Sequence, residues 1–215
     1  MTLKLYGVLK SRASRVAWML NELGQPYEHV PVIQAYRLAD PDGDPRLNTA
    51  SAAFRAINPN GLIPSLEDDG LVLHESLAIV LYLARKFGGP ITAQDLAEEG
   101  LILQWTLWAA ATCEVHSTPI VMSLQTSPDL ELVRPSIEAL RAPLAVLEQA
   151  LADGGGWLVG GRFTVADLCL AEVLRYAQPA RELFEARPGV DAWIRACQAR
   201  PAFQAMWAAR ETETV

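Results

Sequence analysis

The segment Ser11-Arg12-Ala13-Ser14-Arg15 lies at the start of an amphipathic helical pattern and carries two hydroxyls and two guanidinium groups. The first N–H groups of a helix have no partner within it and carry the positive end of its dipole, so they stabilise an anion, a thiolate included. A serine in this place is also an ordinary N-cap, and the segment alone does not separate the two roles. We treat Ser11 as a candidate for activating a nucleophile.

A second motif, Asn60-Gly61-Leu62-Ile63-Pro64-Ser65-Leu66, places a proline at the very start of a strand. Proline gives no N–H to a strand ladder and can adopt the cis form. The backbone N–H and C=O of Ile63 could then pair with an extended ligand. A plain trans proline at a strand end is the alternative.

The third motif is His74-Glu75-Ser76, at the junction between a strand and a helix. A carboxylate beside a hydroxyl and open helix N–H groups can hold a zwitterionic amino acid. Glu75 would bind the ammonium group, while Ser76 and the helix terminus would bind the carboxylate. A serine N-cap beside a solvated glutamate is the alternative interpretation.

Hydrophobic spacing predicts the elements that position these motifs. A strand at Leu3 and Leu5, a helix from Arg12 to Leu23 and a strand at Tyr27–Val32 form a βαβ unit. A short helix at Ala50–Ile57 precedes a hairpin, which turns at Asp69-Gly70, and a helix begins at Ser76. The order βαβ then ββα predicts a mixed sheet.

The rest of the chain contains only helical patterns. Gly88-Gly89-Pro90 is the natural linker, so we expect domains at 1–85 and 95–215, joined by 86–94. Phe163-Thr164-Val165-Ala166-Asp167-Leu168 predicts a capping box with a hydrophobic staple. The other predicted helices cover residues 95 to about 124, 129–151, 190–199 and 201–209.

Composition and charge argue against several classes of partner and location. The net charge of −7 disfavours nucleic acid and anionic lipid as partners. No apolar run approaches the roughly 18 residues of a membrane span, and no secretory leader is visible, so we expect a cytoplasmic protein.

The three cysteines are expected to be buried free thiols. Cys113 and His116 are two ligands at helical spacing, too few for a metal site, and no metal is predicted.

These motifs in this order resemble the cytosolic glutathione transferase family over essentially the whole chain. The resemblance rests on Asn58-Pro59, Ile63-Pro64, Glu75-Ser76 and the capping box at Thr164. It implies an α/β thioredoxin-like N-terminal domain followed by an all-α C-terminal domain. The spacing Ser11-x-x-x-Arg15 is similar to the serine-type, theta- or phi-like classes, and we expect such a member of bacterial style.

The resemblance also implies residue roles. Ser11 would donate its hydroxyl to the glutathione sulfur, so that the thiolate is the resting nucleophile. Ile63 would pair with the cysteinyl backbone, Pro64 would be the cis-proline of the family, and Glu75 with Ser76 would hold the γ-glutamyl group. Tyr6 and Ser14 are the alternative hydroxyls.

Two positions depart from the family pattern. Leu62 and Thr49 stand where members commonly carry basic or amide residues that contact the glycyl carboxylate. Arg12, Arg46 or Arg55 could replace that contact, as could the long loop 34–48. Arg15 is a further candidate in the site. Trp108, three residues after Trp105, is either core or a lining residue of the acceptor pocket.

The resemblance predicts a homodimeric detoxifying transferase. It would direct the glutathione thiolate at a small, apolar electrophile, with glutathione as co-substrate and no other cofactor. A non-catalytic binding protein, a ligandin or stress-type interaction module, is the alternative, since Leu62 and Thr49 leave a contact missing. Reductive or isomerising chemistry at the same site stays open.

Overall fold

The computed structural model describes residues 3–126 and 130–214. Its four strands are β1 (Leu3–Tyr6), β2 (Tyr27–Val30), β3 (Ser65–Asp68) and β4 (Leu71–His74). They form one sheet in the order β2-β1-β3-β4, in which β1 and β2 are parallel and the other neighbours are antiparallel. The predicted mixed βαβ–ββα arrangement is confirmed.

Ten α-helices accompany the strands among the described residues. They are α1 (Ala13–Glu22), α2 (Ala52–Arg55), α3 (Ser76–Phe87), α4 (Leu96–Trp108), α5 (Val115–Thr126), α6 (Arg134–Asp153), α7 (Val165–Leu174), α8 (Arg181–Glu185), α9 (Pro188–Gln198) and α10 (Pro201–Thr212). The predicted all-helical second part is confirmed. Asp129, where the sequence predicts a helix start, lies outside the described residues.

The chain divides into two compact units. The first contains the described residues up to Gly89 together with those from Pro201 onward, and the second is Pro90–Arg200. The structure therefore differs from the predicted boundaries, because α10 belongs to the first unit. The Trp18 and Phe203 rings meet edge to face at 4.9 Å, and Asn21 Nδ2 donates to the carbonyl of Ala202. These contacts join residues about 180 positions apart, which no local pattern indicates.

Helices cover both faces of the sheet in the first unit. On one face, α1 packs with α3, and Val16, Trp18 and Leu20 of α1 are fully buried. On the other face, Tyr6, Val32 and Phe54 form a small core that involves α2. Burying apolar side chains on both faces fixes the sheet rigidly, so the loops at its edges have a firm base.

In the second unit the predicted helix 95–124 is helical from Leu96 to Thr126, with an interruption. Residues Ala109–Glu114 form a π-helical segment between α4 and α5, and Pro119 lies inside α5. Proline removes one helical N–H and crowds the preceding turn, so the backbone must adjust. Within the described residues, no helix has the length and apolar character to cross a membrane.

The predicted capping box at the start of α7 is confirmed. Asp167 Oδ2 accepts a hydrogen bond from the N–H of Thr164 at 2.8 Å. Its other oxygen accepts from the N–H of Leu158 at 3.2 Å and from Trp193 Nε1 at 2.9 Å. Burial raises the pKa of Asp167, and these donors oppose the increase. One carboxylate thus ties α7 to α9 and to the preceding loop.

Candidate functional site

The register of the sheet brings the three predicted motifs to one edge. Tyr6 at the end of β1 lies opposite Ser65, and Ser65 lies opposite His74 at the end of β4. The residues just beyond this row belong to the Ser11 loop, the Ile63-Pro64 motif and the Glu75-Ser76 motif. Gly7 packs closely on this edge, because an added Cβ would lie 3.1 Å from Cβ of Ile63 at a φ of +135°. Only glycine fits there without strain.

Ser11 lies in the loop between β1 and α1 and is partly exposed. Its Oγ donates to the carbonyl of Val8 at 2.6 Å and accepts from the N–H of Ala13 at 3.0 Å. The hydroxyl oxygen is therefore held at the start of α1, where the positive end of the helix dipole favours a nearby negative charge. Rotation about the Cβ–Oγ bond of Ser11 would turn the hydroxyl from the Val8 carbonyl toward a bound anion.

The two alternative hydroxyls are placed differently. Tyr6 Oη donates to Glu67 Oε2 at 2.7 Å, and burial together with this carboxylate raises the pKa of Tyr6 to about 12. Ser14 is fully buried within α1, and its Oγ donates to the carbonyl of Ser11 at 3.0 Å. Tyr6 and Ser14 are both buried, whereas Ser11, although its hydroxyl is also hydrogen-bonded, is partly exposed.

The Ile63–Pro64 peptide bond is cis, the form that the resemblance implies for Pro64. The preceding turn is held by Asn58, a buried residue whose side chain the sequence did not single out. Its Nδ2 donates to the carbonyl of Leu62 at 2.6 Å and to Ser65 Oγ at 3.2 Å. The Leu62 side chain is 62% exposed. Asn58 thus holds the backbone before the cis proline and the side chain of the residue that follows it.

The Glu75-Ser76 motif has a geometry that the sequence did not predict. Ser76 is the first residue of α3 instead of its N-cap, and Glu75 holds the N-cap position with a φ of +68° and a ψ of +107°. Glutamate is strained there, because its Cβ crowds the backbone. Ser76 is buried, and its Oγ accepts from Nη1 of the buried Arg15 at 3.1 Å. The Arg15 guanidinium therefore holds the Ser76 hydroxyl from the protein interior.

Arg55 lies close to Gly61, the residue before Leu62. A Cβ added to Gly61, whose φ is +62°, would lie 2.7 Å from the Thr49 carbonyl and 3.5 Å from Arg55 Nε. Thr49 Oγ1 accepts from the N–H of Ala35 at 2.9 Å. Arg55 thus lies beside the turn that leads to Leu62.

The other two candidate cations are placed less suitably. Arg46 is paired with Asp44, donating from Nε and Nη2 at 2.9 and 2.7 Å. Arg12 is half-buried in the Ser11 loop. The long loop contributes elsewhere, since Arg37 Nη2 donates to the carbonyl of Lys10 at 3.1 Å. This contact holds the loop that carries Ser11, and no local sequence pattern indicates it.

The candidate residues of the second unit give a separate result. The Trp105 and Trp108 rings meet edge to face at 5.2 Å, and both are half-buried. The three cysteines are buried thiols, as predicted. Burial raises the pKa of Cys113 to about 12, so this thiol stays protonated. A protonated thiol is a poor metal ligand and a poor nucleophile.

Comparison with known proteins gives a consistent result across the chain. Residues 5–91 match the family profile "Glutathione S-transferase, N-terminal domain", and residues 129–196 match "Glutathione S-transferase, C-terminal domain". Glutathione S-transferase 3 of Zea mays is 37% identical over 94% of this chain and 91% of its own.

Two solved structures extend the likeness to the fold. The glutathione transferase F7 structure from Populus trichocarpa is 32% identical, has a TM-score of 0.84, and covers 97% of this chain and 99% of its own. The structure of maize glutathione S-transferase I in complex with an atrazine glutathione conjugate is 29% identical. It has a TM-score of 0.83 and covers all of both chains.

Proposed function

This chain belongs to the glutathione S-transferase family, and from that premise we propose that Ser11 is the residue that turns bound glutathione into its thiolate. The chain is a glutathione transferase. The observation that carries the assignment of Ser11 is its hydroxyl geometry, 3.0 Å from the N–H of Ala13 at the start of α1 and partly exposed. Tyr6 and Ser14 are both buried, so a bound sulfur would reach them less readily.

Thiolate formation follows from the charges around Ser11. When glutathione binds, the Ser11 hydroxyl turns from the Val8 carbonyl and donates to the sulfur. The hydroxyl and the positive end of the α1 dipole stabilise S⁻ more than SH, so they lower the pKa of the thiol, whose proton passes to water. The thiolate then attacks the electrophile, forming a carbon–sulfur bond as the leaving group departs with its electron pair.

The rest of the tripeptide would lie along the edge of the sheet. The backbone of Ile63 pairs with the cysteinyl residue in the manner of an added strand, with Pro64 presenting Ile63 at that edge. Glu75 binds the γ-glutamyl ammonium, and Ser76 donates to the γ-glutamyl carboxylate. Ser76 is suited to this donation, because its oxygen already accepts from Arg15 and its own proton can point outward.

We assign the glycyl carboxylate to Arg55. Leu62 and Thr49 offer no charge, Arg46 is paired with Asp44, and the Arg55 guanidinium lies beside Gly61 at the end of the turn. An exposed cation at this place gives a screened contact of modest strength. Glutathione would thus bind more weakly than with a buried basic residue.

We also infer the class of the electrophilic second substrate and the oligomeric state. The maize structure holds an atrazine glutathione conjugate, which supports a small, apolar electrophile as the second substrate. No further cofactor enters the proposal, because glutathione itself supplies the nucleophile. We also infer a cytoplasmic homodimer. The dimer is supported by the family together with four exposed leucines on α4, Leu96, Leu101, Leu103 and Leu107, which water would otherwise cover.

The test is the ultraviolet thiolate absorbance of glutathione titrated into the protein between about pH 5 and about pH 9. Ser11→Ala should keep glutathione binding, raise the pH at which thiolate forms, and cut turnover with an activated aryl chloride roughly 10- to 1,000-fold. Ser14→Ala and Tyr6→Phe are the matched controls and should leave the thiolate signal in place. An unchanged signal in Ser11→Ala would overturn the assignment. Binding without thiolate in the wild-type protein would support the non-catalytic alternative, which the relatives do not favour.

A further inference from the structure

Glu213, which follows α10, places its carboxylate on the loop that carries Ser11. Its Oε1 accepts from the N–H of Leu9 at 2.9 Å, and its Oε2 accepts from the N–H of Lys10 at 3.1 Å. The Glu213 side chain is only 10% exposed. Two charge-assisted hydrogen bonds from adjacent backbone N–H groups hold a loop in one conformation more firmly than neutral bonds would.

One of these bonds reaches Ser11 through a single peptide group. The N–H of Leu9 and the C=O of Val8 belong to the same planar unit. Glu213 accepts from one end of that unit, and Ser11 Oγ donates to the other end at 2.6 Å. Fixing the N–H therefore fixes the carbonyl that holds Ser11 Oγ before glutathione binds, so that Oγ is already in place when its hydroxyl turns to the sulfur.

Further contacts hold Glu213 in place. Lys10 Nζ donates to the Glu213 carbonyl at 3.0 Å. His29 Nε2 lies 2.7 Å from the carbonyl of Gly7 and 3.8 Å from Glu213 Oε1. Upstream, α10 is anchored on α1 by the Trp18–Phe203 contact. The carboxylate is thus delivered by a packed helix and is surrounded by donors from the β1–α1 loop.

We propose that Glu213 is a positioning residue for glutathione activation, which orients Ser11 through the Val8–Leu9 peptide group. The proposal rests on the proposed role of Ser11. Glu213 acts on the thiolate only through that hydroxyl. Its loss should therefore change the chemistry at the sulfur more than the binding of the tripeptide.

The experiment compares Glu213→Ala and Glu213→Gln with the matched control Glu211→Ala, whose exposed carboxylate accepts a hydrogen bond from Arg210 Nη1 at 2.8 Å. Glu213→Ala should lower kcat about tenfold and raise the pH of thiolate formation by about one, with the KM for glutathione changed less than about twofold. Glu213→Gln keeps one acceptor oxygen and should fall between. Glu211→Ala should match the wild-type protein.

A double variant separates this proposal from the one on which it rests. If Glu213 acts through Ser11, Ser11→Ala combined with Glu213→Ala should have the same thiolate titration as Ser11→Ala alone. Additive losses, or a Glu213→Ala protein that is less stable to heat yet has the wild-type thiolate titration, would overturn the positioning role. If Ser11→Ala itself retains the thiolate, the proposed function fails instead.

Discussion

The guanidinium of Arg15 donates from Nη1 to Ser76 Oγ at 3.1 Å, and both side chains are buried. The contact joins the first turn of α1 to the first residue of α3. Helix α1 thus begins two residues after Ser11. Its residue Arg15 holds the Ser76 hydroxyl, which is proposed to bind the γ-glutamyl carboxylate. One helix therefore supports two parts of the glutathione site.

Replacing Arg15 by lysine should weaken glutathione binding without changing the chemistry at the sulfur. Lysine keeps the charge but loses the planar, forked donor group, so Ser76 loses its fixed partner. We expect the Kd of glutathione to rise about tenfold, which corresponds to one hydrogen bond to a charged group. Isothermal titration gives the Kd, and the thiolate absorbance of the saturated protein should match the wild type. A shifted thiolate titration would contradict this separation of roles.

Glu75→Gly should make the protein more stable and its glutathione binding weaker. Glycine adopts a φ of +68° without strain. The gain should be about 1 kcal/mol. The loss of the carboxylate removes the proposed partner of the γ-glutamyl ammonium. Urea unfolding and glutathione titration measure the two effects.

Asp69→Gly is the control for this variant. Asp69 also has a positive φ, +48°, but lies in the turn between β3 and β4, at the opposite end of those strands from Glu75. This substitution should leave glutathione binding unchanged. Equal loss of glutathione binding in both variants would mean that the change in backbone freedom, and not the loss of the Glu75 carboxylate, weakens binding.

Asp167→Ala should strongly destabilise the second unit. The substitution leaves the Trp193 indole and the N–H groups of Leu158 and Thr164 buried without their acceptor. We expect a loss of about 3 kcal/mol in the free energy of unfolding. Asp153→Ala, which removes an exposed contact with Gln149 at the end of α6, should change it by less than about 0.5 kcal/mol. Similar losses in the two variants would contradict the proposed importance of the buried carboxylate.

The Glu98–Arg162 pair should make stability fall in acid. Hydrogen bonds from Arg162, at 2.6 and 2.8 Å, lower the pKa of Glu98 to about 2 from an ordinary value of 4.5. The unfolded chain then takes up the proton first as the pH falls. The stabilisation is complete above about pH 4.5 and disappears as the pH approaches 2.

Thermal unfolding of the wild-type protein and Glu98→Gln measures this dependence. The wild type should have the higher midpoint at neutral pH, and the difference should shrink steadily below pH 4.5. A difference that is constant with pH would mean that the charge on Glu98 does not stabilise the fold.

Much of the fold follows from local patterns in the sequence. Alternation gives the strands, Asp69-Gly70 gives the hairpin, and the spacing around Thr164 gives the capping box. The Ile63-Pro64 motif is likewise local, because proline fixes its own surroundings. These features depend on residues a few positions apart, which is the range over which a sequence pattern carries information.

Other features depend on contacts that no local pattern contains. The bond between Leu9 and Glu213 joins residues 204 positions apart, so only the packing of α10 on α1 shows it. The roles of Arg15 and Asn58 depend likewise on which strands become neighbours. The positive φ of Glu75 could not be predicted, because a positive φ is typical of glycine and not of glutamate. The short helix α8 has too few residues for a period to appear.

The first unit is discontinuous in the chain, and this bears on how the protein folds as it is synthesised. Residues up to Gly89 leave the ribosome early, but α10 and Glu213 follow only after all of residues 90–200. Until then Trp18 lacks the ring of Phe203, and the N–H groups of Leu9 and Lys10 lack their carboxylate. The nascent chain therefore cannot assemble a finished Ser11 loop before Glu213 has been translated, so a product truncated before Glu213 would lack the completed site.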